Sequence, residues 1–330
     1  MDRLRPEGER ETTEPGQPAP TVRGLWSGLA PVTRGILLMM ASTLGFAAMH
    51  VLVRYVSAEL HPFQIAFFRN AFGVVVFLPF MLQTGLAVFH TRRFGLHGFR
   101  ALLNVAAMLC FFSALSMTPV AQVTALAFTA PVFAAVLSVL LLGERVHVRR
   151  WSAILLGFLG TLVVLRPGFQ SIDLGSLLTL VSAVLWAATM IVIRVLGRSE
   201  SSLTITAYMN VLLAALSFLP ALLVWQTPSL AALLWLLLIG ILGTLAQIAL
   251  AQSLKEAEPG AVMPFDFLKL IWVAILGYLL FAELPDAFIW LGGAIIVLST
   301  SYIAYRESRL RKRRAPQAPP ANVSCDRPLS

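Results

Sequence analysis

The stretch LLLGE, residues 140–144, closes a long apolar run, and the stretch LLFAE, residues 279–283, closes another run in the same way. The two stretches lie 139 residues apart, and at the same offset Trp151 aligns with Trp290. Apolar residues match often by chance in such a chain, so the identities at Glu and Trp carry the comparison. These identities indicate that the chain contains an internal repeat.

The preceding parts of the two halves align at an offset of 140 residues, which requires a single gap of one residue. At this offset Arg54 aligns with Arg194, and Asn70 aligns with Asn210. Charged and amide side chains are scarce within apolar segments, so their matches carry more weight than apolar ones. The repeat therefore covers both halves of the chain.

The composition places most of the chain in lipid. Of 330 residues, 58% are hydrophobic and 12% are charged, whereas a soluble domain carries about 25% charged residues. The net charge is +9. The basic residues lie between apolar segments and form no basic surface that could bind nucleic acid. The two cysteines, Cys110 and Cys325, predict neither a disulfide framework nor a cysteine metal site. No cofactor or metal is expected.

Ten apolar segments lie between two polar tails, each long enough to cross a hydrocarbon layer of about 30 Å as a helix. A strand of a membrane barrel needs only about ten alternating residues, so the run lengths predict helices. Gly, Pro and short polar clusters separate the segments. The predicted segments are residues 34–56, 62–84, 97–117, 120–142, 150–166, 175–196, 203–225, 231–254, 260–282 and 286–305.

The predicted domains follow from these segments. Residues 1–33 are rich in Pro, Glu and Arg and are expected to form a disordered cytoplasmic tail. Residues 34–166 and 175–305 form two repeats of five segments each. Residues 306–330 are basic and then Pro-rich, and are expected to be a solvated cytoplasmic tail near lipid headgroups.

The distribution of Lys and Arg predicts the orientation in the membrane. With the N-terminus in the cytoplasm, the internal loops hold eight basic residues, and the external side holds only Arg54 and Arg166. Both termini are then cytoplasmic, in a plasma membrane of the bacterial inner-membrane type. Because each repeat has an odd number of segments, the second repeat enters the bilayer upside down. Inverted repeats around a central site are typical of secondary transporters.

Three stretches resemble the drug/metabolite transporter superfamily and, within it, the EamA-type permeases. They are FFRNAFG at 67–73, the GE that ends the fourth segment, and PFDFLKLIWVAILGYLLFAELPD at 264–286. The last stretch is similar to the branch that contains S-adenosylmethionine uptake and riboflavin transport proteins. The resemblance spans about residues 34–306. It implies an all-α integral membrane protein of ten transmembrane helices, with a central cavity and alternating access without ATP.

Asp266 and Lys269 are the first candidate site residues, because they are the only charges in the ninth segment. An ionised group near the centre of a membrane helix costs about 2.5–3.5 kcal/mol, so it should face the protein interior with a partner. A spacing of three residues lets the two side chains form an ion pair. Such a pair either binds a zwitterionic or anionic substrate or fixes the contact between helices.

Arg69 and His50 are the next candidates. The planar guanidinium of Arg69 suits a carboxylate or phosphate, but it could equally snorkel outward or pair with Asp266 for a structural reason. His50 lies deep in the first segment and could relay a proton or satisfy a neighbouring hydrogen-bond group. The first segment contains no Asp or Glu, unlike the small multidrug resistance relatives of the superfamily.

Two tryptophans and two glutamates complete the set. Trp186 and Trp272 lie inside their segments and could wall a cavity for a heterocyclic solute, or they could belong to the core. Glu144 and Glu283 end the fourth and ninth segments and are expected to anchor a gate or loop, paired with nearby Arg.

The sequence favours a secondary transporter of a small metabolite over three alternatives: a broad-specificity exporter, a membrane enzyme and a scaffold. No P-loop GxxxxGK[ST] and no GxSxG occur in the chain. An enzyme would need catalytic groups clustered at one depth, and no such cluster is readable. Small-molecule substrate and lipid are thus the expected partners, while the sequence leaves a homodimer open.

Overall fold

The computed structural model describes residues 29–84, 91, 93–143, 148–166, 172–196, 199–200 and 202–314. All regular structure in these residues is helical. The tails predicted at 1–33 and 306–330 lie mostly outside the described residues, as does Glu144. The helices are α1 Pro31–Val56, α2 Pro62–Thr84, α3 Phe94–Met117, α4a Val120–Ala127, α4b Ala130–Leu142, α5 Val148–Leu165, α6 Leu174–Leu196, α7 Ser202–Leu223, α8 Leu230–Glu256, α9a Pro259–Val262, a 3₁₀ turn Met263–Phe267, α9b Leu268–Phe281 and α10 Ala287–Arg314.

Seven helical stretches in the described part are long and apolar enough to cross a membrane. They comprise α1, α3, α4, α6, most of α7, α8 and the later part of α9. Helices α2, α5 and α10 contain shorter apolar stretches, at Pro62–Val76, Trp151–Leu165 and Ala287–Ile303. The predicted segments therefore agree with helices in the fold, and seven of them meet the length and composition of a full span.

Helix α10 continues to Arg314 and therefore includes the first nine residues of the tail predicted at 306–330. Residues 304–314 contain neither Pro nor Gly, and their Arg, Lys, Glu and Leu side chains favour helix. The first tail also ends slightly earlier than predicted. Pro31 occupies the beginning of α1, where its missing N–H costs nothing and its fixed φ suits the first turn.

The fourth and ninth segments are interrupted, although a continuous helix was predicted for each. The break in α4 follows Ala127, and the 3₁₀ turn in α9 ends at Phe267. Pro131 and Pro264 lie near these interruptions, and a proline removes one helical hydrogen bond and clashes with the preceding turn. Phe128 and Phe267 are equivalent at the offset of 139 residues, so the two halves are broken at the same place.

Polar contacts define two ends of the helix bundle. The end at which α1 begins is called the near end, where Arg34 pairs with Glu256 at 3.4 Å. The opposite end is called the far end, where the connections that follow α1, α3, α5, α7 and α9 are linked to one another. The far-end contacts are Arg54 with Thr118 and Glu283, Thr118 with Asp173, Gln64 with Gln226, and Arg166 with Asp286.

Chain directions follow from these contacts. Ser253 Oγ donates to Gly35 O at 2.7 Å, and Ser42 Oγ donates to Ala246 O at 2.8 Å. Since 253 meets 35 and 246 meets 42, α8 runs antiparallel to α1. Helix α6 begins beside Asp173 at the far end, whereas α1 begins at the near end. The first helices of the two halves therefore run in opposite directions.

Helix partners are preserved when the two halves are exchanged. Helix α1 packs on α8, and their counterparts α6 and α3 also pack together. In the same way α1 packs on α9, and their counterparts α6 and α4 pack together. Helices α2, α4 and α5 each pack on their own counterparts, α7, α9 and α10. Such a set of contacts is that of two similar halves related by an approximate two-fold axis.

The repeat also extends to helix termini. Gly143 ends α4b with φ 63° and Ala282 ends α9b with φ 55°, at equivalent positions. Glycine adopts this left-handed conformation freely, whereas alanine does so at a cost of about 1–2 kcal/mol. Glu283 follows directly after this cap and forms the far-end ion pair with Arg54.

Asp173 starts α6 as an N-cap. Its carboxylate accepts from the backbone N–H of Ser176 at 3.0 Å and from the Ser176 hydroxyl at 2.6 Å. Burial opposes ionisation, but the bonds from Ser176 and Thr118 outweigh it and hold the pKa of Asp173 below its ordinary value. The charged carboxylate also suits the positive end of the helix dipole.

Candidate functional site

The candidate site lies where the interruptions of α4 and α9 face the core. Asp266 belongs to the 3₁₀ turn, and Lys269 belongs to the first turn of α9b. The ammonium Nζ of Lys269 lies 3.4 Å from each carboxylate oxygen of Asp266. The predicted ion pair is therefore present, at a longer distance than the roughly 2.7–2.9 Å of a strong charge-assisted bond.

Phe128 supplies the second contact to this ammonium. Lys269 Nζ lies 4.6 Å from the centre of the Phe128 ring, within the range of a cation–π interaction. Phe128 stands at the break between α4a and α4b, so the two interruptions meet through these side chains. The N-terminus of α9b also brings the positive end of a helix dipole to this point.

A chain of aromatic rings crosses from α1 to α6. His50 is buried, and its ring packs edge-on against Phe111 of α3 with centroids 4.9 Å apart. Phe111 in turn packs against Trp186 with centroids 5.0 Å apart. Phe111 and Phe128 belong to one hydrophobic cluster, against which Trp186 packs. Phe128 also contacts the Lys269 ammonium. The ion pair and the aromatic chain thus belong to one region of the core.

Arg69 approaches the same region from α2. Its Nη1 donates to Asn70 Oδ1 at 2.9 Å. Gly243 of α8 makes room for it, because a Cβ there would lie 3.1 Å from Arg69 Nε and 2.7 Å from Met49 Sδ. Within the described residues no carboxylate lies within ion-pair distance of Arg69, so the predicted alternative of a pair with Asp266 is not adopted.

Among the residues that the structure describes, four buried polar atoms in this part of the core have no hydrogen-bond partner: His50 Nδ1, Thr124 Oγ1, Ser182 Oγ and Trp272 Nε1. A buried unpaired donor or acceptor costs about 1–3 kcal/mol. Thr124, Ser182 and Trp272 lie one helical turn from Phe128, Trp186 and Lys269 respectively. The unpaired groups therefore lie beside the charged and aromatic side chains, and a polar solute could satisfy them.

Access to the site is uneven. A cavity of about 220 Å³ extends from Asp266 and Phe128 to Arg194 and Met190 on α6. The side chain of Asp266 is 30% exposed and that of Lys269 is 17% exposed. Towards the far end, His50 and Thr124 are buried beneath the polar contacts of Arg54. Ligand pockets usually measure about 300–1,000 Å³, so the cavity must widen to admit a metabolite.

All six predicted site residues lie on the helices that enclose this region. The contacts described above place Asp266, Lys269, His50, Trp186 and Arg69 around one part of the core, and Trp272 lies one turn beyond Lys269. Glu283 pairs with Arg54 at the far end, whereas Glu144 lies outside the described residues. The sequence did not indicate Phe111, Phe128 or Thr124, because such residues within apolar runs look like ordinary core.

Residues 33–166 and 173–305 each match the EamA-like transporter family. The chain belongs to this family. That membership agrees with the resemblance seen in the sequence and with two similar halves in the fold. The protein is accordingly an integral membrane transporter, and it acts as a secondary transporter of a small metabolite.

Two relatives and one solved structure show how far the similarity extends. The riboflavin transporter of Vibrio cholerae is 35% identical over 85% of this chain and 96% of its own length. The S-adenosylmethionine uptake transporter of Rickettsia bellii is 30% identical over 85% of this chain and 96% of its own. A protein crystal structure matches with a TM-score of 0.59 at 19% identity, covering 84% of this chain and 99% of that one. The last comparison shows a shared fold.

Proposed function

We propose that the protein takes up a neutral or anionic heteroaromatic metabolite of the flavin type by alternating access. The ten apolar helices all cross the bilayer in this proposal, as two inverted five-helix repeats bounded near residues 34–166 and 175–305. The substrate site is formed by Asp266, Lys269, Arg69 and His50 with the neighbouring aromatic side chains. The opposite directions of α1 and α6 support the inverted arrangement.

The net charge of the site is the reason for the proposed substrate. Lys269 and Arg69 bring two positive charges, whereas Asp266 brings one negative charge. S-adenosylmethionine carries a sulfonium, an ammonium and a carboxylate, so its net charge is positive and the site would repel it. Riboflavin is uncharged at neutral pH and offers carbonyl oxygens to the two cations. Its planar ring system also suits the chain formed by His50, Phe111 and Trp186.

A second candidate cargo is supported by a different observation. Asp266 is more exposed than Lys269, 30% against 17%, and its carboxylate borders the cavity. A sulfonium compound could therefore approach the carboxylate first. The name of the Rickettsia relative specifies uptake of such a compound, and it also favours import over export.

Counterflow in proteoliposomes distinguishes the two cargoes without assuming a driving ion. Purified full-length protein is reconstituted with unlabelled compound inside, and entry of radiolabelled riboflavin or S-adenosylmethionine is measured against protein-free vesicles. We expect riboflavin to exchange, and excess unlabelled riboflavin to suppress that exchange. Exchange of S-adenosylmethionine alone would contradict the charge argument, and exchange of neither compound would contradict the proposed substrate class.

A further inference from the structure

The far-end mouth of the site is closed by an ion pair between Arg54, in the last turn of α1, and Glu283, just after α9b. The Arg54 guanidinium also donates to the carbonyl oxygens of Leu115 and Thr118, each at 3.0 Å, where α3 ends. The other carboxylate oxygen of Glu283 accepts from the backbone N–H of Val120 at 3.3 Å. One guanidinium and one carboxylate thus tie together the far ends of α1, α3, α4 and α9.

These contacts lie one turn outside the site. His50 precedes Arg54 by four residues on α1, and Thr124 follows Val120 by four residues on α4, which is about 6 Å along each helix. Both His50 and Thr124 are buried, with 8% and 0% of their surface exposed. The Arg54–Glu283 pair therefore separates unpaired polar groups of the site from the far-end surface.

We propose that the Arg54–Glu283 pair is the far-end gate, intact while the site opens to the near end and broken while it opens to the far end. The inference rests on the proposed alternating access. Each side chain is 21% exposed, so water can rehydrate both charges after separation, unlike those of a fully buried pair. The repeat aligns Arg54 with Arg194 and Glu283 with Glu144. The sequence therefore contains residues of the same types for a second gate on the opposite side of the site.

A second far-end ion pair supplies a matched control. Arg166 pairs with Asp286 and lies over the Phe288 ring at 4.4 Å, joining the end of α5 to the start of α10. These helices approach closely, since a Cβ added at Gly160 would lie 2.9 Å from Gly292 O. Helices in such close contact move together, so their ion pair is expected to remain closed throughout transport.

Thiol labelling tests the gate. The probe is Thr124→Cys in the full-length chain with Cys110→Ala and Cys325→Ser, reconstituted in vesicles. A membrane-impermeant maleimide is applied to the face from which a cysteine at Gln226 is labelled, because Gln226 marks the far end. Arg54→Gln is expected to raise the labelling rate about ten-fold, a shift of the size that one broken contact produces in a two-state equilibrium. Arg166→Gln is expected to change it less than two-fold.

Glu283→Gln removes the other partner and is expected to give the same increase in the labelling rate. It serves as the test variant if the Arg54→Gln protein is not recovered from the membrane. Equal labelling rates in the parent and both gate variants would overturn the proposal. Equal acceleration by Arg166→Gln would also overturn it, because it would indicate general loosening of the far end. Labelling needs no cargo, so failure of riboflavin exchange and failure of the gate are separate results.

Discussion

At the scale of one residue, Lys269 shows how a charged side chain is accommodated inside the helix bundle of a membrane protein. Its ammonium is compensated by Asp266 at 3.4 Å and by the Phe128 ring at 4.6 Å. The contact to Asp266 is long compared with a tight charge-assisted hydrogen bond. The ammonium therefore keeps unused donor capacity beside the cavity that Asp266 and Phe128 line, which is the property a substrate-binding group needs.

Replacement of Lys269 tests this interpretation. Lys269→Ala is expected to lower riboflavin exchange in proteoliposomes at least ten-fold, because the substrate loses a charged donor worth about 1.5–3 kcal/mol. The matched control is Lys255→Ala, at the exposed near end of α8, which is expected to exchange normally. Normal exchange by a correctly inserted Lys269→Ala protein would remove Lys269 from the site.

At the scale of elements, the interruptions of α4 and α9 create the site, and close contact between α2 and α8 supports it. Each interruption frees backbone groups from helical hydrogen bonding and places a half-helix terminus within the bundle, as in other transporters. Gly243 allows α8 to approach the Arg69 side chain, because it offers no Cβ. The position of Arg69 therefore depends on a glycine in another helix.

A pair of glycine substitutions tests that dependence. Gly243→Ala is expected to displace the guanidinium of Arg69 and to weaken riboflavin exchange several-fold, because its Cβ would lie 3.1 Å from Arg69 Nε. Gly98→Ala is the control, since nothing lies within 4 Å of a Cβ there. It should stabilise α3 by about 0.5–1 kcal/mol, visible as an equal or higher melting temperature in detergent. Unchanged exchange by Gly243→Ala would contradict the role of this contact.

At the scale of the whole molecule, two similar halves exchange helix partners about a shared core. The linked far-end connections separate the site from that end, and the cavity that reaches Asp266 beside Arg194, in the last turn of α6, gives the described structure a near-side opening. An approximate two-fold relation then implies a second conformation of comparable energy with the opening reversed. The basic loops favour a cytoplasmic near end, so the described state would face inward.

Cysteine accessibility tests this orientation. In cells that express the chain without its native cysteines, a cysteine at Gln226 is expected to react with an impermeant thiol reagent from outside, because Gln226 lies at the far end. A cysteine at Arg93, at the exposed near end before α3, is expected to react only after the membrane is permeabilised. The reverse result would place the termini outside the cell.

The sequence by itself determined the approximate bounds of the helices, the repeat and the local contact between Asp266 and Lys269. Hydropathy, segment length and a three-residue spacing are properties of nearby residues, so they can be read without a fold. The interruptions of α4 and α9 were missed, although Pro131 and Pro264 were present, because transmembrane helices often tolerate proline.

Only the tertiary structure decided which distant groups meet. Arg54 and Glu283 are 229 residues apart, and each of them alone resembles a charge at the edge of a membrane segment. Phe111 and Phe128 resemble core residues until His50 and Lys269 are brought against their rings. Which side chains face one another depends on how the ten helices rotate and cross, and those angles are fixed by contacts between helices rather than by the residues of any one helix.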